Sequence, residues 1–371
     1  MDQRSSRARA LASGAALLAV LPAAAGCGTD DNGASAAGVP TAGIGCAARQ
    51  SPLLAAGSTA QSPAIDLWRT GYSAVCTGTQ VSYGGGGSGT GVQQFNQGKV
   101  AFAGTDFALK PADVAASGAA CRGGRAIDLP MVAGLVSIVY SLDGVDRLVL
   151  DAPTLARIFD SQISRWNDPA IAALNPGAAL PDAGIISFHR SDDSGTTFNL
   201  SSYLATASGG AWPYQPDKAW RGQGGQSATG SAGISAQVRQ VKNAIGYLEL
   251  SYSRQSGLRS AEIATGAARP ARATAEEAAV TLAGSTVVGT DGDLALKLDY
   301  GTKAEQAYPI VLVTYEVVCD KGNKPATLGA LKSFLSYAAS APAQQAIGGK
   351  GYVPMPAAVA DRVRGAVDGL G

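Results

Sequence analysis

The chain has 371 residues, of which 46% are hydrophobic and 15% charged, with a formal net charge of +1. This balance excludes a disordered chain and a broad nucleic-acid footprint, and the length allows two domains of ordinary size. No basic run interleaved with aromatics occurs, so no nucleic-acid partner is expected.

Arg4, Arg7 and Arg9 precede the apolar run ALASGAALLAVLPAAAGC. That run is short for a membrane span and ends in small residues before Cys27, so residues 1–26 read as a signal peptide. AAGC is similar to a bacterial lipoprotein cleavage box, with Ala24 where Leu is favoured. Cys27 is therefore the expected lipidation site, a palmitate-bearing anchor that holds an extracytoplasmic protein to the cell membrane. Loss of residues 1–26 removes Asp2 and the three arginines and leaves a formal charge of −1. Residues 27–45 are small, polar and patternless, which suits a flexible tether.

From Ser51 onward strands and helices alternate. PLLAAGST reads as a strand and AQSPAIDLWRTGY as a helix; QVSYGG is a strand, GVQQFNQ helical, and VAFAGTD a strand. LPMVAGLVSIVYSL is a long buried strand. APTLARIFD and DPAIAALN are helical, and GIISFHR is a strand that leads into the helix start SDDSGTTFNLSSYLAT. SAGISAQVRQVK is helical, AIGYLEL a strand and TAEEAAVTLAG a helix. YPIVLVTYEVVC is a second long strand, and TLGALKSFLSYAAS and AAVADRVRGAVDGL close the chain as helices. This alternation predicts an α/β fold. The long strands, about 130–141 and 309–319, exceed the usual strand length, as a strand crossing between two lobes would. Lobe I is then 46–137 plus 311–371, and lobe II is 138–310.

Apart from Cys27, the cysteines are Cys46, Cys76, Cys121 and Cys319, which allow three pairings. In an exported chain disulfides are favoured over a metal. With no CxxC pair and His189 as the sole histidine, no metal site is expected. Cys46 precedes the first strand and Cys76 follows its helix, at one sheet edge. Cys121 precedes one long strand and Cys319 ends the other, so antiparallel strands would bring them together. The expected pairs are Cys46–Cys76 and Cys121–Cys319.

The stretch YGGGGSGTGVQQF at 83–95 has echoes. Ser-Gly-Thr stands at 88–90 and again at 194–196, and Gly-Ser-Thr at 57–59. Each follows a strand and opens a helical pattern. There the free backbone N–H groups and the helix dipole favour an anion, and glycine lets the backbone approach it. For any one of these hydroxyls an N-cap is the plainer reading. Three of them in one α/β chain, with Arg190 four residues before Ser194, shift the reading towards an anion site beyond the strand ends. A nucleotide loop would need Lys where Val92 stands, and no dinucleotide fingerprint is present. A surface phosphatase or other hydrolase using Ser88 or Ser194 would need a base, and His189 beside Arg190 is a poor one. A surface interaction protein with a relic pocket is a third reading.

GSTA, GGGGSGTGVQQFNQGKVAFAGTD, RIFDSQISRWNDPAIAALNPG, RSDDSGTTFNLSSYL and AIGYLELSY resemble the phosphate-binding proteins of the bacterial phosphate ABC transporter (the Pst system). The four-cysteine pattern is similar to actinobacterial members. The resemblance covers residues 46–371. It implies a two-lobed periplasmic-binding-protein fold of type II that closes on one inorganic phosphate in the interlobe cleft and delivers it to a membrane permease. It implies a monomer, no cofactor and no catalysis. It implies phosphate contacts from Thr59 and the N–H of Ala60, from Ser88, from Asp106 to a protonated oxygen, from Arg190 held by Asp192, and from Ser194, Gly195 and Thr196. Asp106 on its own could equally be a strand-end cap or an ion-pair partner. It is also the residue that separates phosphate from the rival oxyanions sulfate and molybdate. Ala60 stands where the family often has an aromatic, and Asp193 replaces a usual glycine, with a charge that weakens binding if it points inward.

Overall fold

The computed structural model describes residues 44–48 and 51–371. The expected signal peptide, Cys27 and nearly all of the expected tether lie outside the described residues. Three short parallel strands open the body: β1 (Leu53–Gly57), β2 (Val81–Gly86) and β3 (Phe102–Thr105), linked by α1 (Ser62–Val75) and α2 (Ser88–Asn96). After α3 (Pro111–Ala116) comes β4 (Ala126–Ser141), a strand of 16 residues. Next are β5 (Val149–Asp151), α4 (Ala152–Phe159), α5 (Pro169–Leu174), β6 (Ile186–Arg190), α6 (Gly195–Ala207), β7 (Gln226–Ala228), α7 (Gly230–Gln240), β8 (Ala244–Glu249) and α8 (Leu250–Ser256). Short strands β9 (Arg259–Ser260) and β10 (Glu262–Ala264), helix α9 (Ala275–Ala283), and strands β11 (Thr286–Val287) and β12 (Leu296–Lys297) follow. The chain ends with β13 (Val311–Cys319), α10 (Pro325–Ala338), α11 (Ala341–Gly348) and α12 (Ala357–Asp368).

The main sheet runs β2-β1-β3-β13-β4-β8-β6-β7, with β9 also on β4. β4 pairs antiparallel with β13 over Ala126–Leu135 and then with β8 over Val136–Ser141. One strand thus runs through both halves of the sheet, which explains its length. It begins before the expected residue 130. Pro130 lacks the N–H a ladder needs, and it is tolerated because the register shifts between Thr314 and Tyr315 on the facing strand, a bulge. β13 begins at Val311, two residues later than expected, just beyond Pro309.

Packing follows the apolar stripes. α1 buries Ala64, Ile65, Trp68 and Tyr72, about one helical turn apart. Trp68 Nε1 donates to Ala343 O at 3.1 Å, and the Tyr72 ring meets Phe334 edge-on at 5.4 Å. A second core on the other half gathers Phe159, Trp166, Tyr203 and Tyr247. Each such buried aromatic contributes about 1.5–3 kcal/mol of hydrophobic stabilisation. Cys46 is bonded to Cys76 and Cys121 to Cys319, with Cα atoms 5.3 and 5.2 Å apart. The second link ties the entry to β4 to the end of β13, across 198 residues of chain.

Candidate anion site

The parallel strands β1, β2 and β3 end at one edge, where Ser58, Ser88 and Asp106 follow them. On the other half β6 ends on Arg190, and the chain turns through Asp192 and Ser194 into α6. These are the positions where open α/β sheets bind ligands.

Asp106 is the centre. It is 2% exposed. Its Oδ2 accepts from Ser58 Oγ at 2.7 Å and from Ser88 Oγ at 3.4 Å, and its Oδ1 accepts from Thr314 Oγ1 at 2.7 Å. Burial pushes the Asp106 carboxyl up from its usual range, while these hydroxyls and the charge of Arg190 pull it back. Ser88 Oγ also accepts from Asp106 N and from Gly195 N, each at 3.2 Å. A hydroxyl has one proton and two lone pairs, so Ser88 is saturated. It is the point where the start of α2 meets the start of α6.

Other bonds join the same two halves. Gly89 N donates to Asp193 O at 3.0 Å, and Asn199 Nδ2 donates to Asp106 O at 2.7 Å. Ser231 N donates to Thr59 Oγ1 at 3.1 Å. A Cβ on Gly195 would lie 2.4 Å from Asp106 Cβ and 2.6 Å from Ser88 Oγ. No side chain other than hydrogen fits there while the halves are this close.

Arg190 is 2% exposed. Its Nε donates to Asp192 Oδ1 at 2.7 Å, and its Nη2 pairs with Asp192 Oδ2. Asp192 Oδ1 accepts a further bond from Gly230 N at 3.0 Å. Burial pushes the Asp192 carboxyl up, but the hydrogen bonds and charge of Arg190 outweigh it and hold it below the usual range. The Arg190 backbone N–H donates to Tyr247 Oη at 3.1 Å, which lies 2.7 Å from Thr197 Oγ1. The guanidinium is thus fixed by its own backbone and by one carboxylate. Its remaining donors are those an anion would take.

Of the expected site residues, the structure gathers Ser88, Asp106 and Gly195, with Ser88 Oγ hydrogen-bonded to both of the others. Ser194 caps α6, its Oγ accepting from Thr197 N at 3.3 Å. Thr196 Oγ1 is buried with no hydrogen-bond partner. Ala60 N donates to Ser58 Oγ at 3.1 Å. Thr59 turns its hydroxyl to Ser231 and accepts from Tyr252 Oη at its carbonyl, at 2.8 Å. The hydroxyl on Asp106 is that of Ser58, the neighbour of Thr59. Asp193 points to Lys218, 3.2 Å away, and its side chain is half exposed. His189 stacks on Trp220 at 5.0 Å and sets Nδ1 3.1 Å from Arg190 O. Ser58, Thr314, Asn199 and Ser231 were not singled out from sequence. Among the described residues no group of three or more His, Cys, Asp or Glu is placed to hold a metal ion, and no helix is long and apolar enough to cross a membrane.

The family model described as the PBP superfamily domain matches residues 33–342. The phosphate-binding protein PstS 3 of Mycobacterium tuberculosis is 38% identical over 366 residues, covering 97% of this chain and 96% of that protein. PstS 2 of the same species is 37% identical over 348 residues, covering 93% and 94%. A high-affinity periplasmic phosphate-binding protein, PfluDING, solved with phosphate, matches with TM-score 0.68 and 19% identity over 85% of this chain and 93% of that one. A putative phosphate ABC transporter substrate-binding protein from Clostridium perfringens, with bound phosphate, matches with TM-score 0.61 and 15% identity over 82% and 100%. The likeness to these structures is one of fold: two lobes of mixed α/β structure on a shared sheet. The chain belongs to the PBP superfamily and, within it, to the PstS family of phosphate-binding proteins.

Proposed function

We propose that the chain binds one inorganic phosphate between its lobes, outside the cytoplasmic membrane, and delivers it to the permease of an ABC transporter. The observation that carries this reading is Asp106, an acceptor-only group buried at the meeting point of helix starts that offer only donors. A ligand for such a site needs oxygen lone pairs for the donors and a proton for the carboxylate. Phosphate near neutral pH has both; sulfate lacks the proton. The names and bound ligands of the related proteins support the same ligand.

The contacts we assign are the Ser58–Thr59–Ala60 turn, Ser88 with its hydroxyl proton turned from the Asp106 carboxylate to the anion, Asp106, Arg190 oriented by Asp192, and Ser194, Gly195 and Thr196 at the start of α6. Lobe I would comprise 46–137 plus 311–371 and lobe II 138–310. The handover of β4 from β13 to β8 at Leu135 and Val136 supports that division. We further propose that residues 1–26 are removed, that Cys27 carries the lipid anchor, and that the protein acts as a monomer.

Calorimetry on protein stripped of bound anion tests the reading. One saturable phosphate site and much weaker sulfate binding are expected. Absence of phosphate binding overturns it.

A further inference from the structure

Glu316 on β13 is 1% exposed, and both of its carboxyl oxygens are buried without a hydrogen-bond partner. A buried carboxylate with no donor is among the costliest groups in a protein interior. The protonated form has an O–H to give. Glu316 stands opposite Gly104 in the β13–β3 ladder, so the two residues present the same sheet face. On that face a Cβ on Gly104 would meet Gln61 Nε2 at 1.7 Å and Tyr83 Oη at 2.5 Å. The Gln61 amide therefore fills the space over Gly104, beside Glu316, and the two side chains interact. Gln61 Nε2 donates to Tyr83 Oη at 2.9 Å, and Tyr83 Oη donates to Ser58 O at 2.9 Å. Gln61 Oε1 is buried and, like the Glu316 oxygens, has no partner. Buried orphan acceptors side by side are reconciled by one proton.

We propose that Glu316 is a protonated positioning residue that donates to Gln61 Oε1 and, through Gln61 and Tyr83, fixes the Ser58–Ala60 turn against the anion. This rests on the phosphate reading above. The chain of bonds ends on the backbone of Ser58, whose hydroxyl holds Asp106, and Gln61 itself stands at the N-cap position of α1. The titratable groups facing Glu316 are Asp106 from β3 and Tyr83 from β2, while β4 presents Leu129 opposite it. Burial pushes the Glu316 carboxyl up to about 8, against the pull of the neighbouring Gln61 amide and with the charge of Asp106 adding to the rise. Tyr83 is pushed well above its ordinary value, by burial first. When Glu316 ionises, the Gln61 amide must turn its nitrogen to the carboxylate. Tyr83 Oη then donates its hydrogen bond to Gln61 Oε1 and releases Ser58 O.

Two measurements on the full chain decide. The infrared difference spectrum between wild type and Glu316→Gln at pH 7 should show the loss of one protonated-carboxyl C=O band. No lost band overturns the proposal, and this readout needs no phosphate, so its failure is distinct from failure of the phosphate reading. In calorimetry at pH 7, Glu316→Gln keeps a donor and should bind phosphate within about twofold of wild type, while Glu316→Met, of similar length without a donor, should bind about fivefold more weakly. The wild-type to Glu316→Gln ratio of Kd should rise about fivefold from pH 7 to pH 9. Comparing the two proteins at each pH cancels the titration of phosphate. A ratio that stays flat to pH 9, or equal binding by all three proteins at pH 7, refutes the positioning role. If Glu316→Met does not fold, the infrared band and the ratio decide alone.

Discussion

Replacing Asp106 with asparagine removes a charge and a lone-pair face while keeping shape. The folded state should survive it. Ser58 and Thr314 each donate to one carboxylate oxygen at 2.7 Å. In the variant one hydroxyl still donates to the amide oxygen, and the other rotates to accept from the amide nitrogen. The effect falls on the ligand. A protonated phosphate oxygen gives Asp106 a charge-assisted bond, of the kind that contributes about 1.5–3 kcal/mol. Sulfate has no proton to give, so it leaves a buried acceptor unpaired at a cost of about 1–3 kcal/mol, with repulsion added at low dielectric. Asparagine offers sulfate a donor and phosphate only a neutral acceptor. The phosphate-over-sulfate preference should therefore narrow by at least about 2 kcal/mol, or about 30-fold in the ratio of Kd values. Phosphate should bind more weakly and sulfate more tightly. Calorimetric titration of both anions into both proteins at one pH measures this ratio. A ratio unchanged between wild type and Asp106→Asn would refute the argument that Asp106 reads the ligand proton.

Four further outcomes are expected. Gly195→Ala places a methyl against Asp106 and Ser88 on the facing half; it should block closure and lower phosphate affinity with little change in thermal stability, and scattering profiles that still contract with phosphate would contradict this. Arg190→Ala leaves the largely buried Asp192 with the Gly230 N–H but no counter-charge and removes the one full positive charge assigned to the ligand; affinity should fall at least about 100-fold, given about 3 kcal/mol for a buried charged partner, as calorimetry on folded protein would show. Reduction of the disulfides should be unequal: by loop closure, Cys121–Cys319, spanning 198 residues, contributes about 5 kcal/mol and Cys46–Cys76, spanning 30, about 3.5 kcal/mol, so Cys121→Ser with Cys319→Ser should lower the denaturation midpoint more than the other double variant. Burial pushes the carboxyls of Asp128, Glu249 and Glu316 up to about 8. The folded chain therefore holds protons that the unfolded chain has released above about pH 4.5. Stability falls as pH rises from there to about 8, by up to about 1.4 kcal/mol per pH unit for each group; Glu249→Gln should flatten the slope in denaturant melts from pH 5 to 8, and an unchanged slope would count against the assignment.

The α/β alternation and the helix starts at Ser88 and Ser194 were legible because local rules produce them: glycine beside a hydroxyl after a strand, then an apolar stripe at helical spacing. Which hydroxyl after β1 holds Asp106 was not legible. Ser58 and Thr59 are neighbours in an irregular turn, where no period assigns a face, and only the packing of Thr59 against Ser231 and Tyr252 decides between them. The contribution of β13 was hidden for another reason. VLVTYEVVC reads as one more buried strand when hydrophobicity is averaged over it. Its two polar breaks, Thr314 and Glu316, carry the information. They are two residues apart, which puts them on one face of a strand. Both are buried, and a buried hydroxyl or carboxyl is costly without a partner. Thr314 finds Asp106, and Glu316 lies against Gln61. In a strand at the centre of a sheet, the letters that interrupt an apolar run mark a face that packs on polar neighbours, and in this chain that face lies behind the Asp106 carboxylate.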